Sequence, residues 1–230
     1  MRRIVLAAVL AAGLMAAPSA DAKRLRVTQY EIYAAKGTVR VIFQGSEAAG
    51  CRAIGVCGLS GTATYSFGGS PRSGRIVWAR DRKRTVAFYG FLETDAQTVS
   101  DVVSAGSSEH CTDRAEHRYE PLAFEPRSRA VRFEWRQAAR DEDEEGVFIG
   151  GEDDPFDTRC AGPKLGDLAG ALPFADVGYR VFRSPRASFR TTGARPFAGG
   201  GFAGSVEWAL RYGLRFRGNR GGGFFAVPIG

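Results

Sequence analysis

SVEWALRYGLRFR, residues 205–217, sets Val206, Trp208, Leu210, Tyr212, Leu214 and Phe216 at every second position. Glu207, Ala209, Arg211, Gly213 and Arg215 lie between them. Successive side chains of a strand point to opposite faces, so this segment has one dry face and one wet face. On a helix the same apolar residues would scatter around the circumference.

The period of two recurs along the chain. Val39, Val41 and Phe43 alternate, as do Ala63, Tyr65 and Phe67, and Val131, Phe133 and Trp135. RIVWA (75–79) and TVAFYGFL (85–92) alternate less cleanly, as strands buried on both faces do. GGSPRSG (68–74), RDRKR (80–84) and EPRSR (125–129) read as turn-like breaks. The expectation is an all-β fold, mainly antiparallel and β-sandwich-like, with one or two short helices. For the helices, Thr94 and Gln97 in TDAQTVSDVVSAG (94–106) match a capping box. Val99, Val102 and Val103 would share a helical face there, and Gly106 would end it. GPKLGDLAGAL (162–172) suits one short turn or two.

GLSGTATYSF (58–67) aligns with GFAGSVEWAL (201–210) in its glycine, hydroxyl, aromatic and apolar positions. A glycine followed by a strand is common in β proteins. If the match reflects duplication, the copies would be equivalent halves of one sandwich or two tandem small domains.

The first residues, MRRIVLAAVLAAGLMAAPSADAK, have the order of a secretory signal. Arg2 and Arg3 precede an apolar run from Ile4 to Ala17, and Ala20-Asp21-Ala22 forms a small-x-small cleavage site. Residues 1–22 are therefore expected to be a signal peptide. Residues 23–217 would form a single β-rich domain, and 218–230 a Gly-rich C-terminal tail. The apolar run is shorter than the roughly 18 residues of a spanning helix, so no transmembrane segment is expected after signal removal. The expected location is secreted, periplasmic or at the cell surface. Four cysteines in such a compartment favour two disulfides, in any of three pairings, of which Cys51–Cys57 with Cys111–Cys160 is the preferred one.

Three stretches, CGLSGTATYSF (57–67), DTRCAGPKLGDL (157–168) and GFAGSVEWALRYGLRFR (201–217), carry a resemblance. They resemble segments of uncharacterised exported β-rich proteins of high-GC bacteria. The resemblance implies export and a β-rich fold and carries no chemistry with it. The 28 Arg against 4 Lys and a single Asn fit the same genomic bias.

DEDEEGVFIGGE (141–152) places Asp141, Asp143 and Glu145 at the first, third and fifth ligand positions of a calcium loop, Gly146 at its turn and Glu152 at its twelfth position. The flanks oppose an EF-hand, because a strand-like segment precedes it and Pro155 follows. The preferred reading is a solvated acidic loop, since residues 141–157 carry nine acids and no base. No cofactor is expected beyond calcium at that loop. From Arg180 to Gly230 there are nine Arg and one acid, Glu207, a net +8. That segment is either balanced within the molecule or forms a face for anionic envelope polymers or glycans. Nucleic acid is not expected as a partner.

Catalytic constellations are incomplete. His110 and His117 with Cys111 and Asp113 lack the spacing of a zinc site, and Cys111 is assigned to a disulfide. Gly199-Gly200-Gly201-Phe202-Ala203-Gly204 meets G-x-G-x-x-G by letter but precedes a strand, which excludes a dinucleotide loop. Glu134 and Glu207, each followed by Trp on a strand, are the candidate carboxylate pair for a carbohydrate-active hydrolase. Against that alternative, the favoured function is a non-catalytic binding or scaffold module of the cell envelope or extracellular space.

Overall fold

The computed structural model describes residues 26–45, 58–81, 84–104, 110–119, 122–135 and 154–221. The fold is all-β and antiparallel. Strands run β1 Arg26–Gly45, β2 Leu59–Gly69, β3 Ser73–Asp81, β4 Arg84–Ser104, β5 His110–Tyr119, β6 Leu122–Pro126, β7 Ala130–Trp135, β8 Phe174–Gly178, β9 Arg186–Gly199 and β10 Phe202–Gly221. Among the described residues the helical content consists of two 3-10 turns, Leu165–Leu168 and Val181–Arg183. The first falls inside the 162–172 stretch that the sequence marks for a short turn.

β1 is the hub of a seven-stranded sheet. It pairs with β10 from Arg26↔Gly221 to Gly45↔Phe202. On its other side its first half pairs with β3 and its second half with β2. β4 repeats this on the far side of β2 and β3, and β5 pairs with β4. β2 and β3 are thus two halves of one interrupted strand. The GGSPRSG stretch does not reverse the chain, contrary to the usual meaning of such a turn signal. Pro71 lacks the N–H a ladder needs, and Gly69 adopts φ +118°, so pairing lapses and resumes in the same direction. The lapse aligns with register shifts between Ile32 and Ala34 on β1 and between Glu93 and Ala96 on β4. Such irregularities bend strands, so the sheet carries an aligned bend across three neighbours. β10 also runs past position 217, the expected end of the domain, as far as Gly221.

The sequence expectation of a helix at 94–106 fails, because this stretch is the second half of β4. Its true period is two. Thr94, Ala96, Thr98, Ser100, Val102 and Ser104 are buried, whereas Asp95, Asp101 and Val103 are exposed. Hydroxyls replace apolar residues on the inner side because they serve an irregular segment packed there. Thr98 Oγ1 donates to the Pro155 carbonyl, and Thr158 Oγ1 donates to Ser100 Oγ at 3.0 Å. Buried backbone outside a ladder requires such partners.

A three-stranded sheet, β6-β7-β8, covers the inner side of the large sheet. Its Leu122, Phe124, Val131, Phe133 and Trp135 share one core with the inward rows of β1, β2, β4 and β10. Trp135 meets Tyr65 edge-on at 5.0 Å between centroids, and Phe133 lies 4.4 Å from Phe189. A polar relay ties the sheets together. Trp208 Nε1 donates to Thr191 Oγ1 at 3.0 Å, and Thr191 Oγ1 donates to the Phe174 carbonyl at 2.7 Å. Ile76, Val77 and Trp78 are buried in succession, as the weak alternation of RIVWA anticipates.

The repeated stretches turn out to be the two neighbours of β1 within the same sheet. Tyr65 and Trp208 both face Val39, and Gly61 and Gly204 both face Phe43. The shared glycines have a steric cause. A Cβ at Gly204 would stand 1.9 Å from the Ile42 carbonyl oxygen, and one at Gly61 would stand 2.6 Å from that of Asp101. The Gly200-Gly201 pair closes the two-residue β9–β10 hairpin with φ +59° and +85°, the signature of a type I′ turn. That hairpin is what the dinucleotide-like letters encode.

Cys111 of β5 is joined to Cys160, with their Cα atoms 5.7 Å apart. The other expected bridge, Cys51–Cys57, lies outside the described residues. The bond fastens the edge strand to the segment that covers β4. Replacing both Cys111 and Cys160 by Ser should cost about 4 kcal/mol in the chain-entropy account of a loop this long, measured by urea unfolding. Gly204→Ala should cost about 1–3 kcal/mol by overpacking against rigid backbone, read in the same way.

Candidate functional site

Between β9 and β5 the outer face of the large sheet carries polar side chains, Thr192, Thr38, Ser66, Gln97 and Glu116 among them. In-register pairing organises it into rows that cross the strands. One row is Thr192, Ala209, Thr38, Ser66, Gln97 and Glu116, each directly opposite the next from β9 to β5. The first four side chains are short, so they leave a trough in the sheet surface. The adjacent row begins with Arg190, Arg211 and Lys36, again directly opposite one another on β9, β10 and β1. Their long side chains wall the trough on one side. The resulting open groove has a volume of about 970 Å³. It lies beside the bend of the sheet, where Gly68 follows Lys36 in the row and Arg72 pairs with Asp95 at 2.8 Å.

The electrostatics of the trough are unequal along its length. Arg190, Arg211 and Lys36 are all exposed. Among the described residues none of the three pairs with a carboxylate. Like charges directly opposite on neighbouring strands repel, so this row costs stability unless an anion bridges it. Toward β4 and β5 the groove carries Glu116 and the carboxamide of Gln97, whose Oε1 accepts from Arg114 Nη2. His117 lines the same end, its ring 5.6 Å from that of Tyr65.

The arginine-rich C-terminal third is only partly available for such a face. Arg195 is exposed on the other face of β9, its guanidinium 4.4 Å from the Phe174 ring centroid and its Nη1 donating to the Gly170 carbonyl at 3.1 Å. Arg215 lies over Tyr33 at 5.0 Å, and Arg217 pairs with Glu31 at 2.5 Å. Of the other exposed arginines of this segment, Arg190 and Arg211 lie on the groove while Arg180 and Arg186 lie outside it, and the third cation of the row, Lys36, comes from the opposite end of the sequence. Sequence reading missed Lys36 because its place beside Arg211 is set only by the β1–β10 register.

The structure does not bring Glu134 and Glu207 together. Glu207 stands exposed on the outer face of β10, opposite Arg40. Glu134 belongs to β7 in the small sheet, on the face opposite to Phe133 and Trp135. The shared core therefore lies between the two carboxylates. The calcium candidates Asp141, Asp143, Glu145 and Glu152 lie outside the described residues. Among the described residues no cluster of three or more His, Cys, Asp or Glu side chains could hold a metal. His110 hydrogen-bonds Asp101, and Cys111 is oxidised. Among the described residues no helix is long and apolar enough to cross a membrane. No known protein family, curated protein or solved structure matches the chain.

Two carboxylates are held ionised by their surroundings. The Arg159 backbone N–H, at 2.7 Å, holds the Asp113 carboxyl below the usual carboxylate range. Arg132, bonding through Nε and Nη2 at 2.9 Å each, does the same for Asp176 across the β7–β8 pair. A carboxyl depressed in the folded state stabilises fully above its unfolded pKa of about 3.9, and the gain disappears as pH falls through the lower folded value. Wild type should therefore lose stability on acidification below about pH 4. The Asp113→Asn/Asp176→Asn variant should lose less over the same range, as measured by urea unfolding at a series of pH values.

Proposed function

We propose that this chain is an exported, non-catalytic binding module of the cell envelope or extracellular space, and that it holds anionic polymer in the trough across its outer face. The observation that carries this reading is the in-register row Arg190–Arg211–Lys36, three exposed cations without a carboxylate partner among the described residues. The signal-like first 22 residues and the disulfide support an oxidising, extracytoplasmic setting. The open groove crosses the strands and suits an extended chain better than a compact small molecule, which favours enclosed pockets. The hydrolase alternative gains nothing from the geometry, because its two carboxylates face away from each other across the core.

The test is retention on an immobilised polyanion, dextran sulfate, under a salt gradient. Arg190→Glu/Arg211→Glu should elute at markedly lower salt than wild type, because screening then has less attraction to overcome. The same change of charge placed outside the trough, Arg129→Glu/Arg180→Glu at two exposed arginines, should shift elution much less. Equal shifts from equal charge changes at both places would mean that net charge, not the trough, does the binding.

A further inference from the structure

Resting on that reading, we infer that the trough is built for an acidic polysaccharide, with uronate carboxylates on the Arg190–Arg211–Lys36 row and sugar hydroxyls on the adjoining Thr192–Thr38–Ser66 floor. Two features of the trough separate this ligand from a simpler polyanion. The first is the division of labour between rows. The cationic row offers one positive charge per strand, so charges repeat at the strand spacing of about 4.8 Å. That spacing is on the scale of the advance per sugar in an extended polysaccharide, which carries one carboxylate per uronate unit. Beside it runs a row of neutral groups in the same register, Thr192, Ala209, Thr38 and Ser66. Hydroxyls both donate and accept, as the hydroxyls of a sugar also do.

The second feature is the far end of the trough. Glu116 lies in the floor row opposite Gln97, and among the described residues it forms no ion pair. A polyphosphate would bring only acceptors and repel this carboxylate. A sugar unit brings donors, and a carboxylate accepts them well in charge-assisted hydrogen bonds. The trough is therefore cationic where β9, β10 and β1 meet and accepting where β4 and β5 meet. A ligand carrying both carboxylates and hydroxyls satisfies both ends. No step of bond making or breaking is implied.

Isothermal titration of the disulfide-intact chain would use three probes: a short oligogalacturonate, its methyl ester, and an inorganic polyphosphate of matched charge. Oligogalacturonate should bind more tightly than either of the others. Lys36→Gln should weaken it by about tenfold or more, the range for losing a charged hydrogen bond. Thr38→Val keeps the shape and the strand propensity but removes a floor hydroxyl. It should weaken oligogalacturonate several-fold and leave polyphosphate unchanged. Urea unfolding of both variants verifies that the fold is intact. Polyphosphate binding as tightly as oligogalacturonate, with Thr38→Val neutral, would overturn the sugar assignment while leaving the anion-binding function standing. Failure of every probe to bind would remove both.

Discussion

The structure depends on β1 being paired along both edges. Of its twenty residues, Arg26–Glu31 meet β3 and Ala35–Gln44 meet β2, while β10 accompanies it from end to end. A strand paired on both sides satisfies its backbone polar groups within the sheet, so its inward row can occupy the centre of the core. Ala35, Val39, Val41 and Phe43 do so, each almost fully buried. The demand then passes to the neighbours. Phe43 fits because both flanking strands present glycine beside it, and Gly162 of the covering segment approaches its ring as well. The similar sequences of β2 and β10 are the two sides of one steric requirement.

That same pairing makes the outer surface. Register aligns residues across strands as strictly as it aligns the core, so a row on the wet face is as fixed as a row on the dry one. The trough arises because short side chains coincide on four adjacent strands while long cations coincide one row away. The aligned bend of β1, the β2/β3 break and β4 stands beside it. The small sheet leaves this outer face free, since β6, β7 and β8 pack on the inner side, held by the Trp208–Thr191–Phe174 relay and the aromatic contacts of Phe133 and Trp135.

Much of the fold was legible because alternation is a local property. Val206 to Leu214, Val39 to Phe43 and Val131 to Trp135 declare their faces within a few residues. Segments that bury hydroxyls do not. Thr98 and Ser100 look like surface residues until the 154–160 segment is seen to need them, and the valines nearby imitate a helix. The GGSPRSG stretch is similar: its composition announces a break, but whether the chain then turns back or carries on depends on which strands lie to either side. At the trough, Arg190 and Arg211 belong to a basic segment visible in the sequence. Lys36, Thr38 and Ser66 carry no local mark at all.

The sequence by itself determined the all-β class and the dry and wet sides of the strongest strands, because each follows from short-range pattern; among the three pairings open to four cysteines, it was the structure that joined Cys111 to Cys160. The tertiary structure decided the order of strands, the in-line joining of β2 to β3, the separation of Glu134 from Glu207, and the meeting of Lys36 with Arg211. Those are matters of register between segments far apart in the chain, and hydrogen-bonded pairing sets register only once the strands have met.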